Sequence, residues 1–364
     1  MVAVSVVMPC HNRAFDLLRV LRAYERQEGD VPFEIIAVDD GSTDGTFEVL
    51  SSYSPSRFSL RVERLDESQG PARARNRGIA LAQAPIILFV GDDILPSPRL
   101  VQGHWESHQV YRSRQVAILG RIAWPPDMAV STLMKHIDGV GAQQFSYHFL
   151  KDGCEYDFRH FYTANVSIKR DFLRSLERWF DPSFPYAAFE DAELAFRMAQ
   201  RGLRIIYRRP LLAYHYHYHT VWSFSRRQYK SGYSAWLFVK KHPYVARWLI
   251  RRGHVVALAA ASCPWRLERA DSHGYLRRLE EVLLHLASSY EWDPSPAADA
   301  FYLPFLDYFY FKGLVDAMAG GSPFAERALR AYVVLELKRR LKFALALERR
   351  PEKAELLKDL CNLA

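Results

Sequence analysis

The feature that most constrains this chain is an alternation of two hydrophobic periodicities over its first 125 residues. Short runs rich in Val, Ile and Leu alternate with segments whose apolar residues recur at helical spacing. The runs lie at residues 4–8, 33–38, 59–62, 86–90 and 116–122. Near-continuous apolar strands joined by helices predict an α/β fold, with a mainly parallel, doubly wound sheet and helices on both faces.

Polar clusters follow four of these runs, at the point where each predicted strand ends. They read PCHNR after the first, DDGSTDGT after the second, ESQGPARARN after the third and GDD after the fourth. The carboxyl ends of parallel strands meet at one edge of the sheet, where ligands bind in open α/β folds. The four clusters therefore predict one ligand-binding site.

The adjacent acids Asp92 and Asp93 are the sharpest candidates within these clusters. Hard cations such as Mg²⁺ take oxygen ligands and commonly bind through one or two carboxylates plus substrate phosphates. Gly91 lets the chain turn out of the strand and leaves room for a ligand. The alternative interpretation is a solvated turn before Pro96 and Pro98.

Glu190 and Asp191 stand at the start of a predicted helix, FEDAELAFRMAQRG. Two acids in a first turn are often only complements to the helix dipole. The functional alternative is that one of them takes a proton from an acceptor hydroxyl. A neighbouring carboxylate would raise the pKa of that group, whereas the helix terminus would lower it.

The segment AYHYHYHT spaces His215, His217 and His219 two residues apart, so an extended backbone would point all three the same way. One imidazole could complete a metal site with Asp93 and phosphate oxygens. The alternative is a surface patch of histidines and tyrosines. In GPARARNRG, alternate positions on a helix cannot share one face, so we expect one arginine to face an anion and the others the solvent.

Composition and charge limit the class of protein. A chain of 364 residues with 49% hydrophobic and 25% charged residues is typical of one large or two modest globular domains. The formal net charge of +8 favours an anionic partner, namely nucleic acid, a phosphorylated substrate or an anionic membrane surface. The four cysteines form no CxxC pair, and no segment reads as a signal peptide or a membrane-spanning helix, so we expect a cytoplasmic protein.

Seven ordered motifs give the chain a resemblance to the family 2 glycosyltransferases, inverting enzymes of the GT-A fold that use nucleotide-sugars. The motifs are SVVMPCHNR, IIAVDDGSTDGT, QGPARARNRGIALA, ILFVGDDILPSP, TANVSIKRDF, FEDAELAFRMAQRG and AYHYH followed by RRQYKSG. The resemblance covers residues 5 to about 236. It implies a glycosyltransferase domain at 1–220, with a nucleotide-sugar-binding half at 1–123 and an acceptor half at 124–220. Residues 221–364 are predicted to be a mostly helical C-terminal region, and beyond about residue 236 the chain matches no motif of the family.

The resemblance also implies a role for individual residues. The nucleotide-sugar would be bound by Pro9, His11, Asn12, Asp40, Arg75 and Asp92. Asp93 would hold a divalent metal, Mn²⁺ or Mg²⁺, at the donor diphosphate, with His215 or His217 as a further ligand. Asp191 would be the general base, and Glu190 would bind acceptor or sugar hydroxyls.

Two positions depart from the family's usual pattern. His11 replaces the tyrosine more usual beside the nucleobase, although either ring can stack on a base. The metal motif of the family often reads Asp-x-Asp, and here Gly91 stands in place of the first acid. The departure removes one carboxylate that could support the metal.

The function implied is the inverting transfer of a sugar from a nucleotide donor, a UDP-sugar first among them, to a hydroxyl of a saccharide or lipid-linked saccharide. Asp191 would deprotonate the hydroxyl, which attacks the anomeric carbon from the face opposite the nucleotide. The basic C-terminal helices would either pack within the chain, form a homodimer, or contact anionic lipid at the inner face of the cell membrane.

Other functions fit the sequence less well. A nucleotidyltransferase acting on sugar phosphates would carry a glycine-rich, basic loop after the first strand, and PCHNRAFD contains no glycine. A dehydrogenase would carry GxGxxG there. A nucleic-acid-binding protein would explain the net charge, but the loops of the first half concentrate acids and no nucleic-acid motif is present, so we expect no nucleic acid as partner.

Overall fold

The computed structural model describes residues 1–262, 272–320 and 322–364, which fold as two compact units. The first unit comprises residues 1–128 and 149–217, and the second comprises residues 129–148 and 218–364. The first is an α/β domain built on one sheet, and the second is helical.

Within the described residues, the sheet of the first unit has nine strands. They are β1 Val4–Cys10, β2 Phe33–Asp40, β3 Ser59–Leu65, β4 Ile86–Val90, β5 Ile94–Pro96, β6 Val116–Ala123, β7 Glu155–Tyr156, β8 Asn165–Lys169 and β9 Arg204–His215. Their order is β3-β2-β1-β4-β8-β6-β9-β5, and β7 pairs with β9. Strands β1, β2 and β4 are almost wholly buried, as expected of apolar strands covered on both faces.

The helices of both units are numbered together along the chain. The first unit contains α1 Ala14–Glu25, α2 Thr46–Ser52, α3 Pro71–Leu81, α4 Leu100–Val110, α6 Arg170–Arg174 and α7 Glu190–Ala199. Helix α1 shows why these segments fold as they do. Its apolar residues Leu17, Val20, Leu21 and Tyr24 recur every three or four positions and are buried, so one face of the helix packs on the sheet.

Strand direction confirms the predicted mainly parallel α/β sheet. β1 is parallel to β2 and β4, β2 is parallel to β3, and β6 is parallel to β9. β8 lies between β4 and β6 and is antiparallel to both. The direction of β8 could not be predicted, because the segment before it is long enough to allow either a parallel or an antiparallel strand.

This topology brings several chain segments to one edge of the sheet. The carboxyl ends of β1, β2 and β4 meet there because these strands are parallel neighbours. Val90, the last residue of β4, pairs with Asn165, the first residue of β8, so the segment before β8 reaches the same edge. His215 ends β9 and pairs with Ile94 of β5, next to the acids that follow β4.

The second unit confirms the predicted helical C-terminal region. It contains α5 Thr132–Asp138, α8 Val221–Lys241, α9 Ala246–Leu249, α10 Arg252–Ala261, α11 Ser272–Ser289, α12 Pro296–Ala319, α13 Pro323–Tyr332, α14 Lys338–Leu347 and α15 Pro351–Leu363. A π-helical turn at Val333–Leu337 joins α13 to α14. Among the helices that the structure describes, none combines the length and apolar character needed to cross a bilayer.

Two features hold this helical unit together. Gly232 of α8 and Gly313 of α12 let the two backbones touch, since a Cβ on either glycine would overlap a carbonyl oxygen of the facing helix. Asp307 of α12 is a buried polar centre that accepts hydrogen bonds from Tyr332 Oη at 2.7 Å and Arg340 Nη1 at 2.6 Å, and also from Arg251. A buried carboxylate is tolerated only when it is paired and hydrogen-bonded, and Asp307 is both.

Candidate active site

Asp93 lies between two histidines and an arginine at the edge of the sheet. Its Oδ2 accepts a hydrogen bond from Arg13 Nη2 at 3.1 Å. The same oxygen is 3.4 Å from His215 Nε2 and 3.5 Å from His217 Nδ1. In the described part of the chain, Asp93, His215 and His217 form one group whose ligand atoms all lie within 4.8 Å of one another. One carboxylate oxygen with imidazole nitrogens is a donor set that fits a divalent cation such as Mn²⁺.

The local structure fixes these histidines. The ring of His215, at the end of β9, stacks on Trp124 at a centroid distance of 5.5 Å and on His217 at the same distance. Between them, Tyr216 N donates to the backbone oxygen of Asp93 at 2.8 Å. The segment after β9 is therefore tied to the turn after β4, which brings both imidazoles to the carboxylate.

Gly91 has a steric role in this turn. A Cβ at this position would lie 2.8 Å from Asp93 Oδ1 and 3.2 Å from Ile94 Cγ1. Any larger residue would push against the carboxylate that faces the histidines. The glycine in GDD thus leaves Asp93 the room that its observed position needs.

The pKa values of the two adjacent acids are shifted in opposite directions. Burial, followed by the negative charge of Asp93, raises the pKa of Asp92 above its ordinary value. Burial would also raise the pKa of Asp93, but His215, His217 and Arg13 outweigh it and hold this pKa well below its usual range. Asp93 therefore carries the negative charge that a cation needs, while Asp92 retains a proton more readily.

Residues of the PCHNR cluster surround Asp92. His11 N donates to Asp92 Oδ2 at 3.0 Å, and Arg13 Nε lies 3.5 Å from Asp92 Oδ1. The His11 ring is exposed, and its Nδ1 lies 2.8 Å from the backbone oxygen of Asp40. Its Nε2 lies 3.2 Å from Asn12 Nδ2, so both ring nitrogens are held while the exposed ring can stack on a planar base.

Asn12 and Asp40 are engaged with neighbouring loops. Asn12 adopts a left-handed backbone conformation with φ of 52°, and its side-chain oxygen accepts a hydrogen bond from Thr43 N at 2.9 Å. The carboxylate of Asp40 accepts hydrogen bonds of 2.8 to 3.0 Å from the backbone or side chain of three consecutive residues, Ser68, Gln69 and Gly70. These contacts fix the loops that flank the edge.

A second group of charged residues lies at the start of α7. Arg75 Nη1 donates to Glu190 Oε1 at 2.7 Å, and both side chains are buried. Asp191, the next residue, is half-buried, and its carboxylate accepts hydrogen bonds from Ala192 N at 2.8 Å and Thr163 N at 3.4 Å. The two acids thus differ in access: Glu190 is enclosed with an arginine, whereas part of Asp191 reaches solvent.

Burial shifts the titration of both acids. Burial and the charge of Asp191 raise the pKa of Glu190 to about 7, although Arg75 opposes the shift. Burial also raises the pKa of Asp191, against the lowering effect of Arg75 and of the backbone donors Ala192 and Thr163. A carboxylate with a raised pKa holds a transferred proton better than an ordinary one.

Strand pairing puts the two groups at the same edge. Thr163 stands two residues before Asn165, which pairs with Val90, and Asp92 stands two residues after Val90. Thr163, which donates to Asp191, and Asp92 therefore lie at the same end of the neighbouring strands β8 and β4.

Not every predicted residue joins these groups. Pro9 is half-buried within β1, where it pairs with Val38. His219 is buried in the second unit, with its ring edge-on to Phe224. Arg13 and Thr163 were not predicted as site residues, although Arg13 belongs to the same PCHNR cluster as His11.

The sheet, the acids at its carboxyl edge and the histidine pair agree with the predicted GT-A type fold. Residues 5–177 match the family model described as Glycosyl transferase family 2, and this part of the chain is a family 2 glycosyltransferase domain. The predicted family and fold are thereby confirmed.

Characterised and uncharacterised relatives agree with this assignment. The chain is 27% identical over 259 residues to the uncharacterized glycosyltransferase YfnE of Bacillus subtilis, a match that covers 58% of this chain and 64% of the relative. It is 32% identical over 220 residues to validoxylamine A glucosyltransferase of Streptomyces hygroscopicus subsp. jinggangensis, covering 55% of this chain and 52% of the relative. The chain thus spans only about half to two thirds of these relatives.

Among solved structures, the fold resembles that of residues 1–349 of Staphylococcus aureus TarS. The form in complex with UDP superposes with a TM-score of 0.51 at 14% identity, covering 88% of this chain and 93% of the neighbour. The form in complex with UDP-GlcNAc gives a TM-score of 0.51 at 15% identity, covering 96% and 93%. At this level of identity the likeness concerns the fold.

Proposed function

We propose that the chain is an inverting glycosyltransferase that moves a sugar from a nucleotide-diphosphate donor, a UDP-sugar, to a hydroxyl of a saccharide or lipid-linked saccharide. The observation that carries the proposal is the contrast between Asp191 and Glu190, of which only Asp191 combines a raised pKa with access to solvent. A general base must reach the acceptor and have a pKa near the working pH. The UDP and UDP-GlcNAc complexes of the structural neighbour support the choice of donor.

In this proposal, Asp191 acts on the acceptor hydroxyl. Its carboxylate takes the proton while the hydroxyl oxygen forms a bond to the anomeric carbon. The bond from that carbon to the diphosphate oxygen breaks on the opposite face, and the configuration inverts. Thr163 N and Ala192 N hold the carboxylate in place, so that positioning lowers the barrier.

The donor diphosphate would lie against the first group. Asp93, His215 and His217 would hold Mn²⁺ or Mg²⁺, which supplies positive charge to the departing diphosphate when bound. Arg13 would add a second positive charge on the same side, because Asp92 and Asp93 both fix its guanidinium. His11 would stack on the nucleobase, and Asp92, Asn12 and Asp40 would shape the nucleoside pocket. Pro9 would line that pocket from β1.

The buried pair of Arg75 and Glu190 would bind a sugar hydroxyl. Arg75 neutralises Glu190 beside Asp191, and Glu190 Oε2 has no hydrogen-bond partner among the described residues. A buried acceptor of this kind is costly unless a ligand hydroxyl satisfies it. We therefore assign Glu190 to binding an acceptor or donor hydroxyl, with Arg75 holding it in place.

The substitution Asp191→Asn tests the base. The variant should bind UDP-sugar normally, since Asn keeps the shape of the side chain, and should lose transfer by about 10² to 10⁴, the usual contribution of general base catalysis. A thermal-shift panel of UDP-, GDP- and dTDP-sugars, with and without Mn²⁺, identifies the donor first. Turnover within a few fold of the wild type would remove Asp191 from this role.

The metal assignment has its own test. Calorimetric titration with UDP should show tighter binding when Mn²⁺ is present, and Asp93→Ala should abolish that gain. Asp30→Ala is the matched control, because Asp30 is an exposed acid before the amino end of β2 and lies outside the metal group. An undiminished Mn²⁺ effect in Asp93→Ala would place the cation elsewhere.

The helical unit offers a surface for association. Val334, Leu335 and Phe343 are exposed to 54%, 45% and 63%, next in sequence to the exposed Arg339 and Lys342. We propose that this face mediates either a homodimer or peripheral contact with anionic lipid at the inner face of the cell membrane, for a protein of the cytoplasm. Sedimentation velocity and co-sedimentation with anionic vesicles decide between the two.

A further inference from the structure

An open groove of about 360 Å³ runs along the outer face of α1 in the first unit. Its lining includes Phe15, Leu18, Arg19, Arg22, Arg26 and Leu95. Phe15 is 96% exposed, although an aromatic ring of this size normally buries much of its surface. The groove is thus an apolar cleft edged by basic side chains.

The three arginines form a stripe. Arg19, Arg22 and Arg26 follow Phe15 at intervals of four, three and four residues, which places all four side chains on one face of the helix. Arg22 and Arg26 are exposed and form no ion pair with any carboxylate that the structure describes.

Acids near α1 leave this stripe positive. Glu25 is engaged elsewhere, because its carboxylate accepts hydrogen bonds from Ser56 and from Arg57 N. Asp16 and Asp127 act on Arg19, whose guanidinium also contacts Tyr216. Arg22 and Arg26, which pair with no described carboxylate, therefore give this face a basic character.

One end of the groove lies near the candidate active site, since its lining includes Leu95, two residues after Asp93, and Arg19. The guanidinium of Arg19 lies over the ring of Tyr216 at 3.9 Å, and Tyr216 N is bonded to the backbone oxygen of Asp93 at 2.8 Å. Helix α1 begins one residue after Arg13, which contacts Asp93 directly. From Phe15 to Arg26 the helix rises about 16 Å, at 1.5 Å per residue, which is the length of several sugar rings.

We propose that this groove binds an acidic saccharide chain, the acceptor of the transfer reaction, and so deepens the proposed function on which it rests. Phe15 would pack against the apolar face of a sugar ring. Arg22 and Arg26 would pair with carboxylate or phosphate groups along the chain, for which the planar guanidinium is well suited. A helix that binds a membrane surface presents a broad apolar face, whereas α1 exposes a single aromatic ring beside a concave surface.

The test measures binding of defined oligosaccharides to the full chain by calorimetry. The probes are octagalacturonate, which carries a carboxylate on each ring, and maltooctaose, which is neutral and of equal length. We expect octagalacturonate to bind at least tenfold more tightly, with an affinity that falls as salt rises. The double variant R22S/R26S should lose at least tenfold of this affinity, and Phe15→Ala should also weaken it.

A matched control removes the same charge from another surface of the same unit. Arg112 and Arg114 are exposed and lie outside the groove, so R112S/R114S should bind octagalacturonate as the wild type does. All four arginines are on the surface, so neither variant should change the thermal stability or the UDP-dependent thermal shift. The UDP-dependent thermal shift tests the proposed donor site separately from the groove. If the wild type showed no such shift, the donor site would be contradicted and the groove would not.

Three results would overturn the inference. One is an equal loss of affinity in R112S/R114S, which would indicate general attraction by net charge. Another is equal binding of octagalacturonate and maltooctaose. The third is tighter, Arg22-dependent binding to vesicles containing phosphatidylglycerol than to the acidic oligosaccharide, which would identify a lipid surface as the ligand.

Discussion

Replacing Arg75 by methionine tests the buried ion pair at the start of α7. Arg75 Nη1 and Glu190 Oε1 are 2.7 Å apart, and the two side chains are 9% and 3% exposed. Removing one partner of such a pair typically lowers the free energy of unfolding by about 3–5 kcal/mol, because the other charge is left uncompensated. Methionine keeps an unbranched apolar chain in the site, so the loss of stability reflects the missing charge more than the missing side-chain volume.

The pH dependence of this loss follows from Glu190. Its pKa is about 7 with Arg75 present, and Arg75 lowers it, so the pKa in the variant must be higher still. Well below pH 7, Glu190 is protonated in both folded proteins. Above pH 7 the wild type releases the proton and the variant keeps it. The folded variant then binds more protons, so its deficit in stability grows by about 1.4 kcal/mol per pH unit until its own pKa is reached.

Urea denaturation at pH 6 and pH 8, followed by circular dichroism, measures both effects. The expected deficit of Arg75→Met is larger at pH 8 by about 1.4 kcal/mol. Arg73→Met, on the exposed face of the same helix, should change stability by no more than about 0.5 kcal/mol. A deficit that is the same at both pH values, or that Arg73→Met reproduces, would show that the charge of Glu190 does not determine the loss of stability.

Three further predictions concern the helical unit and the metal group. In thermal denaturation, Gly313→Ala should destabilise the protein by about 3 kcal/mol or more, because the added Cβ would overlap the Tyr229 carbonyl. The control Gly274→Ala adds its Cβ to open space on α11 and should stabilise the protein by about 0.5–1 kcal/mol. A loss of stability in both variants would indicate a general effect of alanine in these helices. Asp307→Asn should cost about 3–5 kcal/mol at pH 7. The partners of Asp307 hold its pKa below the ordinary value despite burial, so the loss of stability in the variant should shrink as pH falls below about 4. A loss of stability that does not depend on pH would argue against an ionised Asp307. Arg13→Ala should tighten Mn²⁺ binding about tenfold in a titration without nucleotide, since Arg13 competes for Asp93 Oδ2, and unchanged affinity would contradict that competition.

The sequence predicted the edge of the sheet because hydrophobic periodicity and strand ends are local properties. The acids of GDD and of the segment at α7 follow or begin regular elements, so their approximate position could be inferred from spacing alone. The helical character of the second unit was predictable for the same reason, since apolar residues recur there at helical spacing.

Side-chain partners were not predictable in the same way. Arg13 meets Asp93 because β1 lies beside β4, and the strand alternation does not specify which strands are neighbours. Arg75 pairs with Glu190 across 115 positions of the chain, whereas the resemblance implied a role for Arg75 at the nucleotide-sugar and the spacing of the arginines indicated no partner. The same limit applies to Asp40, whose carboxylate binds the loop at residues 68–70. Its proposed role at the nucleotide stays a prediction.

The configuration of the released sugar is a direct test of inversion with Asp191 as the base. Water can replace the acceptor in slow hydrolysis of the donor, so no acceptor has to be known. If Asp191 activates the nucleophile on the face opposite the diphosphate, a UDP-α-sugar should first release the β-anomer, as observed by proton NMR before mutarotation. We expect the β-anomer from the wild type and almost no release from Asp191→Asn. Initial release of the α-anomer would contradict it.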